Sequence, residues 1–274
     1  PFVGVGWYRT EFDVPQFQAG KRATILFDGA MSHANVYING QKVGYWPYGY
    51  NSFHFDITKY LKPGEKNTLA VRLENLPESS RWYPGAGLYR NVHLIITEDA
   101  YIPVWGTYIT TPSVNEKFAK VNVRTKVVLP EGADPAKYSV ETSVWNPNKQ
   151  KLTAVRTSLA QMKYNNNQAE QEFVIQAPSL WSPEMPALYS AETRLYEGDK
   201  LKDIYTTPFG IRSIEIIPDK GFFLNGKRTV FKGVCNHHDL GPLGAAVNDA
   251  AIRRQIRILK DMGCNAIRTS HNMP

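Results

Sequence analysis

The 274-residue chain holds only two cysteines, Cys235 and Cys264. That is too few for a disulfide framework or for a cysteine-based zinc site. The two fall at opposite ends of neighbouring predicted strands. A strand of five or six residues spans roughly 17–20 Å, far beyond the ~7 Å Cα separation a disulfide tolerates, so two free structural thiols are predicted. Long apolar runs are also missing: none approaches the roughly 20 residues a membrane helix needs, and no membrane partner is expected. The formal net charge is +7, but Lys and Arg are scattered and no run of five or more basic residues occurs, which argues against a nucleic-acid partner. No signal peptide is visible at Pro1 and the chain opens without Met, which leaves room for a removed signal or a missing upstream segment. Localisation is left open, with a periplasmic or extracellular setting favoured over a cytoplasmic one.

What is present is β-forming material: 12% aromatic residues with 15 Tyr, and 20 Gly and 18 Pro between short hydrophobic runs. The length suits two domains, or two and a fraction, each with its own core. Over residues 1–99 apolar residues alternate with period two, at Trp7 to Val14, Ile25 and Phe27, Val36 and Ile38, Phe53, Phe55 and Ile57, then Leu69, Val71 and Leu73. This predicts strands with one face in a core. Asn39-Gly40 between two such runs signals a type I′ hairpin, since both residues accept positive φ, and Pro63-Gly64 marks a further turn. A jelly-roll-like sandwich is predicted, and because the first strand starts only a few residues in, its N-terminus is read as either complete or lacking a portion.

The segment Ser79 to Asn91 places Trp82 and Tyr83 beside a Pro-Gly-Ala-Gly turn. They fit either a flat surface on which a sugar ring stacks or an ordinary aromatic loop packed on a neighbouring domain. Residues 100–210 read as an immunoglobulin-like β-sandwich: Ile109, Val121, Val123, Val140, Val144, Phe173, Ile175, Leu188 and Leu195 recur between turn clusters at roughly 8–12 residue spacing, with loops at 146–149 and 164–167. No chemical constellation lies within it, and a spacer is expected.

Residues 211–274 change character. A hairpin turning at Asn225-Gly226 precedes a strand-like run from Thr229 to Cys235, a polar tail (Asn236, His237, His238, Asp239), a helix, and a second strand-like run that delivers Arg268, Thr269, Ser270 and His271. Asn248 suits the helix N-cap and Gly263 the left-handed C′ position. Ile252, Ile256 and Leu259 share one face, with Arg253, Arg254, Arg257 and Lys260 opposite, so an amphipathic helix covering a sheet is expected. Strand, helix and strand make a parallel crossover unit, and in parallel α/β folds chemistry sits at the carboxyl ends of strands.

This order of elements resembles glycoside hydrolase family 2, and the motifs agree. Gly87-Leu88-Tyr89-Arg90-Asn91-Val92 is similar to the family's sugar-binding motif, Phe209-Gly210-Ile211-Arg212 to its domain junction, and Phe223-Leu224-Asn225-Gly226-Lys227 to the hairpin leading into its barrel. Lys232 to Asp239 and Asn265 to His271 resemble the first two barrel strands. The fold class implied is mainly β: a jelly-roll-like sandwich, an immunoglobulin-like sandwich, then the first β-α-β unit of a (β/α)8 barrel.

Among family members the likeness is to β-galactosidases. By that resemblance His237, Arg268 and His271 line the subsite for the non-reducing sugar. Asn91 stands where some members carry an Asp reaching from the jelly roll to the sugar, a departure that bears on any metal bridging there. His238 and Asp239 fit either a pair that orients the loop or a substrate contact, and Trp82 is the stacking candidate. His and Arg at strand ends can supply hydrogen bonds to sugar hydroxyls that tighten in an oxocarbenium-like transition state.

Retaining glycosidases need two carboxylates about 5–5.5 Å apart, which the family carries on later barrel strands. No catalytic residue and no metal ligand is assigned in this chain. The expectation is a fragment of a retaining, exo-acting glycosidase, a β-galactosidase cleaving terminal β-galactosides from a glycoside or oligosaccharide, inactive as the fragment alone. The alternatives are a β-glucuronidase or β-mannosidase of the same family, or a non-catalytic carbohydrate-binding protein. No cofactor is expected within these residues. The resemblance allows a divalent or monovalent cation, and a homo-oligomer, in the full enzyme.

Overall fold

The computed structural model describes residues 3–16, 20–79, 86–161, 168–237, 239–246 and 248–270. Trp82, Tyr83, the loop at 164–167, His238 and His271 lie outside the described residues. Contacts divide the chain into two compact units: residues 1–96 with 231–274, and residues 97–230.

In the first unit, Gly4–Asp13, Lys66–Asn75, Ala34–Ile38 and Gln41–Trp46 form one sheet in that spatial order, and Phe53–Asp56, Arg22–Phe27 and Val92–Thr97 form another. The period-two pattern sorts the side chains. Ile25, Phe27, Val36, Ile38, Phe53, Ile57, Leu69, Val71 and Leu73 meet in one buried core drawn from both sheets. Asn39 and Gly40 take φ of 50° and 79° and turn the predicted hairpin. The first strand departs from expectation: Trp7 and Tyr8 are exposed, and of its apolar residues Phe12 packs on the core.

A buried asparagine organises the base of this sandwich. Asn67, fully buried, accepts from the Lys62 amide (2.8 Å) and donates to the carbonyls of Lys62 and Glu65 (both 2.9 Å). Its Oδ1 also accepts from the Asn39 amide (2.7 Å), so the turn at Pro63-Gly64 is fastened to the hairpin at Asn39-Gly40.

In the second unit, Lys151–Ser158, Tyr138–Trp145, Tyr189–Glu197 and Lys200–Phe209 face a sheet of Gln168–Gln176, Phe118–Lys126 and Thr107–Val114. Val121, Val123, Val140, Val144, Phe173, Ile175 and Leu195 are buried between them, whereas Leu188 is exposed. The Phe209 to Arg212 junction packs on Trp181: the Arg212 guanidinium lies 4.6 Å from the ring centre, and a Cβ at Gly210 would sit 3.1 Å from the side chain. The hairpin Gly221–Leu224 and Lys227–Arg228, with Asn225 and Gly226 at φ 51° and 74°, belongs to this unit. Asn225 fastens it by donating to the Trp181 carbonyl (3.0 Å) and accepting from the Ser213 amide (3.0 Å).

The crossover unit is present. Gly233–Asn236 and Ala266–Thr269 pair in parallel, joined through the helix Asp249–Asp261. The helix is capped as its sequence dictates: Asn248 accepts from the Ala251 amide (2.9 Å) and Gly263 takes φ 86°. Two expectations are corrected. The first strand begins at Gly233, so Thr229 to Lys232 lead into it instead of forming its first half. The helix has no buried residue, and Ile252 and Ile256 remain 36% and 39% exposed, because a two-stranded sheet is too narrow to enclose an apolar helix face.

Candidate functional site

The parallel pair sets the first part of the site. Asn265 secures its base: Oδ1 accepts from the Lys232 amide (2.8 Å) and its own amide donates to the Lys232 carbonyl (2.9 Å). Register then places Cys235 beside Arg268 and Asn236 beside Thr269. Successive side chains of a strand alternate faces, so Cys235 and Arg268 share one face and Asn236 and Thr269 the other. His237 follows the end of the first strand, and Ser270 the end of the second. The Ser270 amide donates to the Asn236 carbonyl (2.9 Å), tying the two ends together.

Gly233 explains how close the strands run. A Cβ there would overlap the carbonyl oxygen of Ala266 on the neighbouring strand. Arg268 Nη1 donates to Ser270 Oγ (3.2 Å) and Cys235 Sγ (3.5 Å). Both thiols are free, as predicted, but Cys235 is exposed and so is not a core thiol. Its pKa is held below the usual thiol value, first by the hydrogen bond from Arg268, then by that from Ser270.

The jelly-roll side is built on the Gly87 to Asn91 motif. Gly87 and Met31 exchange backbone hydrogen bonds (3.0 and 3.1 Å), and Gly87 takes φ 102° with the Tyr8 hydroxyl where a Cβ would be. Tyr89 is buried and its hydroxyl donates to the Gly49 carbonyl (2.7 Å). Desolvation pushes its pKa up to about 12, against the opposing pull of Arg90. A small residue at Gly29 makes room for this ring, since a Cβ there would lie 2.6 Å from Tyr89 Cζ. Tyr89 packs with Met31, Tyr50 and Ala245. Ala245 comes from the segment between the two parallel strands, so the sugar-binding motif and the crossover share one cluster.

The predicted residues are therefore distributed as follows. Arg268 is in the parallel pair and His237 at its carboxyl end, with Asp239 in the half-buried segment beyond it. Asn91 is exposed and accepts from the Asp28 amide through its carbonyl (3.0 Å). Among the described residues no hydrogen bond links Asn91 to His237 or Arg268. Trp82, His238 and His271 lie outside the described residues. Sequence reasoning missed Ser270 as an anchor. It also missed the contact of the Asp28 carboxylate with His93 Nε2 (2.9 Å) beside Asn91; a His two residues after the motif was the available signal. Among the described residues no group of three or more His, Cys, Asp or Glu side chains is arranged to hold a metal ion.

Comparison with known proteins gives consistent matches along the chain. Residues 2–98 match the sugar binding domain of glycosyl hydrolases family 2, residues 101–212 match the model named for that family itself, and residues 215–273 match its TIM barrel domain. A β-galactosidase of Bacteroides ovatus is 45% identical over 272 residues, covering 99% of this chain and 32% of that protein. A β-glucuronidase of Bacteroides fragilis is 34% identical, covering 98% of this chain and 40% of that protein. A crystal structure of a glycosyl hydrolase family 2 member from Bacteroides cellulosilyticus superposes with a TM-score of 0.91 at 37% identity, covering 99% of this chain and 37% of that one. The chain thus spans about a third of the length of the relatives it matches.

Proposed function

The chain belongs to glycosyl hydrolases family 2, and from that membership we propose that its residues serve a retaining, exo-acting glycosidase that removes terminal β-galactosyl residues. The ligand class follows from the sugar-binding domain: a carbohydrate. The observation that carries the proposal is the parallel pair, which sets Arg268 beside Cys235 and brings the ends of both strands together at Asn236 and Ser270, next to His237. An always-charged guanidinium with a planar fork of donors and a neighbouring imidazole are suited to sugar hydroxyls. In a retaining glycosidase such hydrogen bonds strengthen as the oxocarbenium-like transition state forms. The jelly-roll motif adds Asn91 as a neutral donor and acceptor, held on a segment that Tyr89 anchors. The two carboxylates that retaining hydrolysis requires come, in this reading, from barrel strands other than the pair described. The 274 residues by themselves are expected not to hydrolyse glycosides.

The choice of galactose draws on the β-galactosidase relative at 45% identity. The second reading, a β-glucuronidase, draws on the relative at 34%. Steady-state kinetics of the complete protein on p-nitrophenyl β-galactoside and p-nitrophenyl β-glucuronide separate them. A kcat/KM at least about tenfold higher on the galactoside is expected, the scale of discrimination that one well-placed hydrogen-bonding group reaches easily. The reverse order would install the second reading.

A further inference from the structure

Ser270 is 1% exposed and stands where the two parallel strands stop. Its amide holds the Asn236 carbonyl (2.9 Å) and its hydroxyl oxygen accepts from Arg268 Nη1 (3.2 Å). Cys235, in direct register with Arg268, presents its sulfur 3.5 Å from the same nitrogen. Because the guanidinium is planar and rigid, fixing one corner of it at two points fixes the direction of its other donors. A serine with its backbone tied to one strand end and its side chain tied to the arginine of the other strand is built to do this.

We propose that Ser270 is a positioning residue of the glycosidase site: with Cys235 as the second support, it fixes the orientation of the Arg268 guanidinium there. The proposal rests on the glycosidase reading given above. It differs from a purely structural role for Ser270 because the effect passes through Arg268. The depressed thiol of Cys235, which the Arg268 and Ser270 hydrogen bonds produce, is the expected mark of a guanidinium leaning on that sulfur.

The test is a double-mutant cycle in the complete protein on whichever aryl β-glycoside the wild type cleaves best. Ser270→Ala should lower kcat/KM about tenfold or more, the scale on which sub-ångström misplacement acts, with thermal stability close to wild type; Ser270→Thr should restore most of the loss. On an Arg268→Ala background, Ser270→Ala should have no further effect. Cys235→Ala, at an exposed position, should give a smaller loss that also vanishes without Arg268, and it keeps the test valid should Ser270→Ala fold poorly. Equal losses in both backgrounds, or no loss from either variant, would overturn the proposal. A wild type with no glycosidase activity sinks the functional reading alone. In that event crystal structures of wild type and Ser270→Ala decide the positioning claim: it holds if the guanidinium turns away in the variant and falls if the guanidinium stays in place.

Discussion

The hydroxyl of Tyr89 donates to the backbone carbonyl of Gly49 at 2.7 Å, and its ring packs with Met31, Tyr50 and Ala245. One tyrosine thus belongs to the sugar-binding motif, closes a loop of the jelly roll, and touches the crossover segment of the parallel pair. The position of Asn91, two residues on, depends on that anchorage.

Tyr89→Phe should destabilise this unit by about 1–3 kcal/mol, since it leaves the buried Gly49 carbonyl without its partner. The same tyrosine gives a pH signature. Its folded-state pKa is pushed from 10.0 to about 12 by burial, so the folded state binds the proton more tightly than the unfolded one. Its contribution is full below pH 10 and is lost as the pH rises towards 12. Denaturation midpoints measured across that window should fall for the wild type. In Tyr89→Phe that part of the slope should be missing.

Gly233→Ala tests the close approach of the two parallel strands. The added Cβ meets a backbone oxygen of Ala266, which no rotamer change relieves, so register from Gly233 to Asn236 must shift. A cost of about 1–3 kcal/mol is expected. Hydrogen exchange on the complete protein should show lost protection at the Ser270 amide, and kcat/KM should fall with it. Unchanged protection would mean that the strands are not paired in this register.

Gln171 offers a stability test remote from the site. It is 2% exposed, and its Nε2 donates to the carbonyls of Val140 (3.1 Å) and Val155 (2.8 Å) and approaches Thr157 Oγ1 (3.1 Å). These partners lie on the sheet facing its own, so one amide pins the two layers of the second sandwich together. Gln171→Leu, close in volume, should cost about 1–3 kcal/mol and raise hydrogen exchange at both strands. Activity in the complete protein should be unaffected near room temperature.

How far the sequence could be read follows from the range over which each feature is determined. Asn39-Gly40, Asn225-Gly226, the Asn248 cap and Gly263 were legible because each depends on the φ preference or hydrogen bonding of a few consecutive residues. The alternation at Val36 and Ile38 or at Leu69, Val71 and Leu73 identified core faces for the same reason. What was not legible depends on partners distant in the chain. The first strand reads as alternating, yet Trp7 lies on an uncovered face. Val230 and Phe231 have the composition of a strand, but pairing begins only at Gly233, where a neighbour can approach without meeting a Cβ. Gln171 looks like any surface glutamine of a β-strand until the opposite sheet is in place. Of the site, Arg268 and His237 were suggested by the family resemblance, which their positions at strand ends supported. The serine that holds Arg268 was not, because its role depends on a register between residues 33 positions apart.

His237 carries the most direct test of the account. The complete protein and its His237→Ala variant should be compared on p-nitrophenyl β-galactoside, with kcat and KM determined separately and folding checked by thermal unfolding. If His237 lines a sugar subsite and its hydrogen bond strengthens in the transition state, the variant should lose about 100-fold or more in kcat/KM, with kcat falling as well as KM rising, at unchanged stability. A correctly folded variant that hydrolyses the galactoside as fast as the wild type would contradict the account.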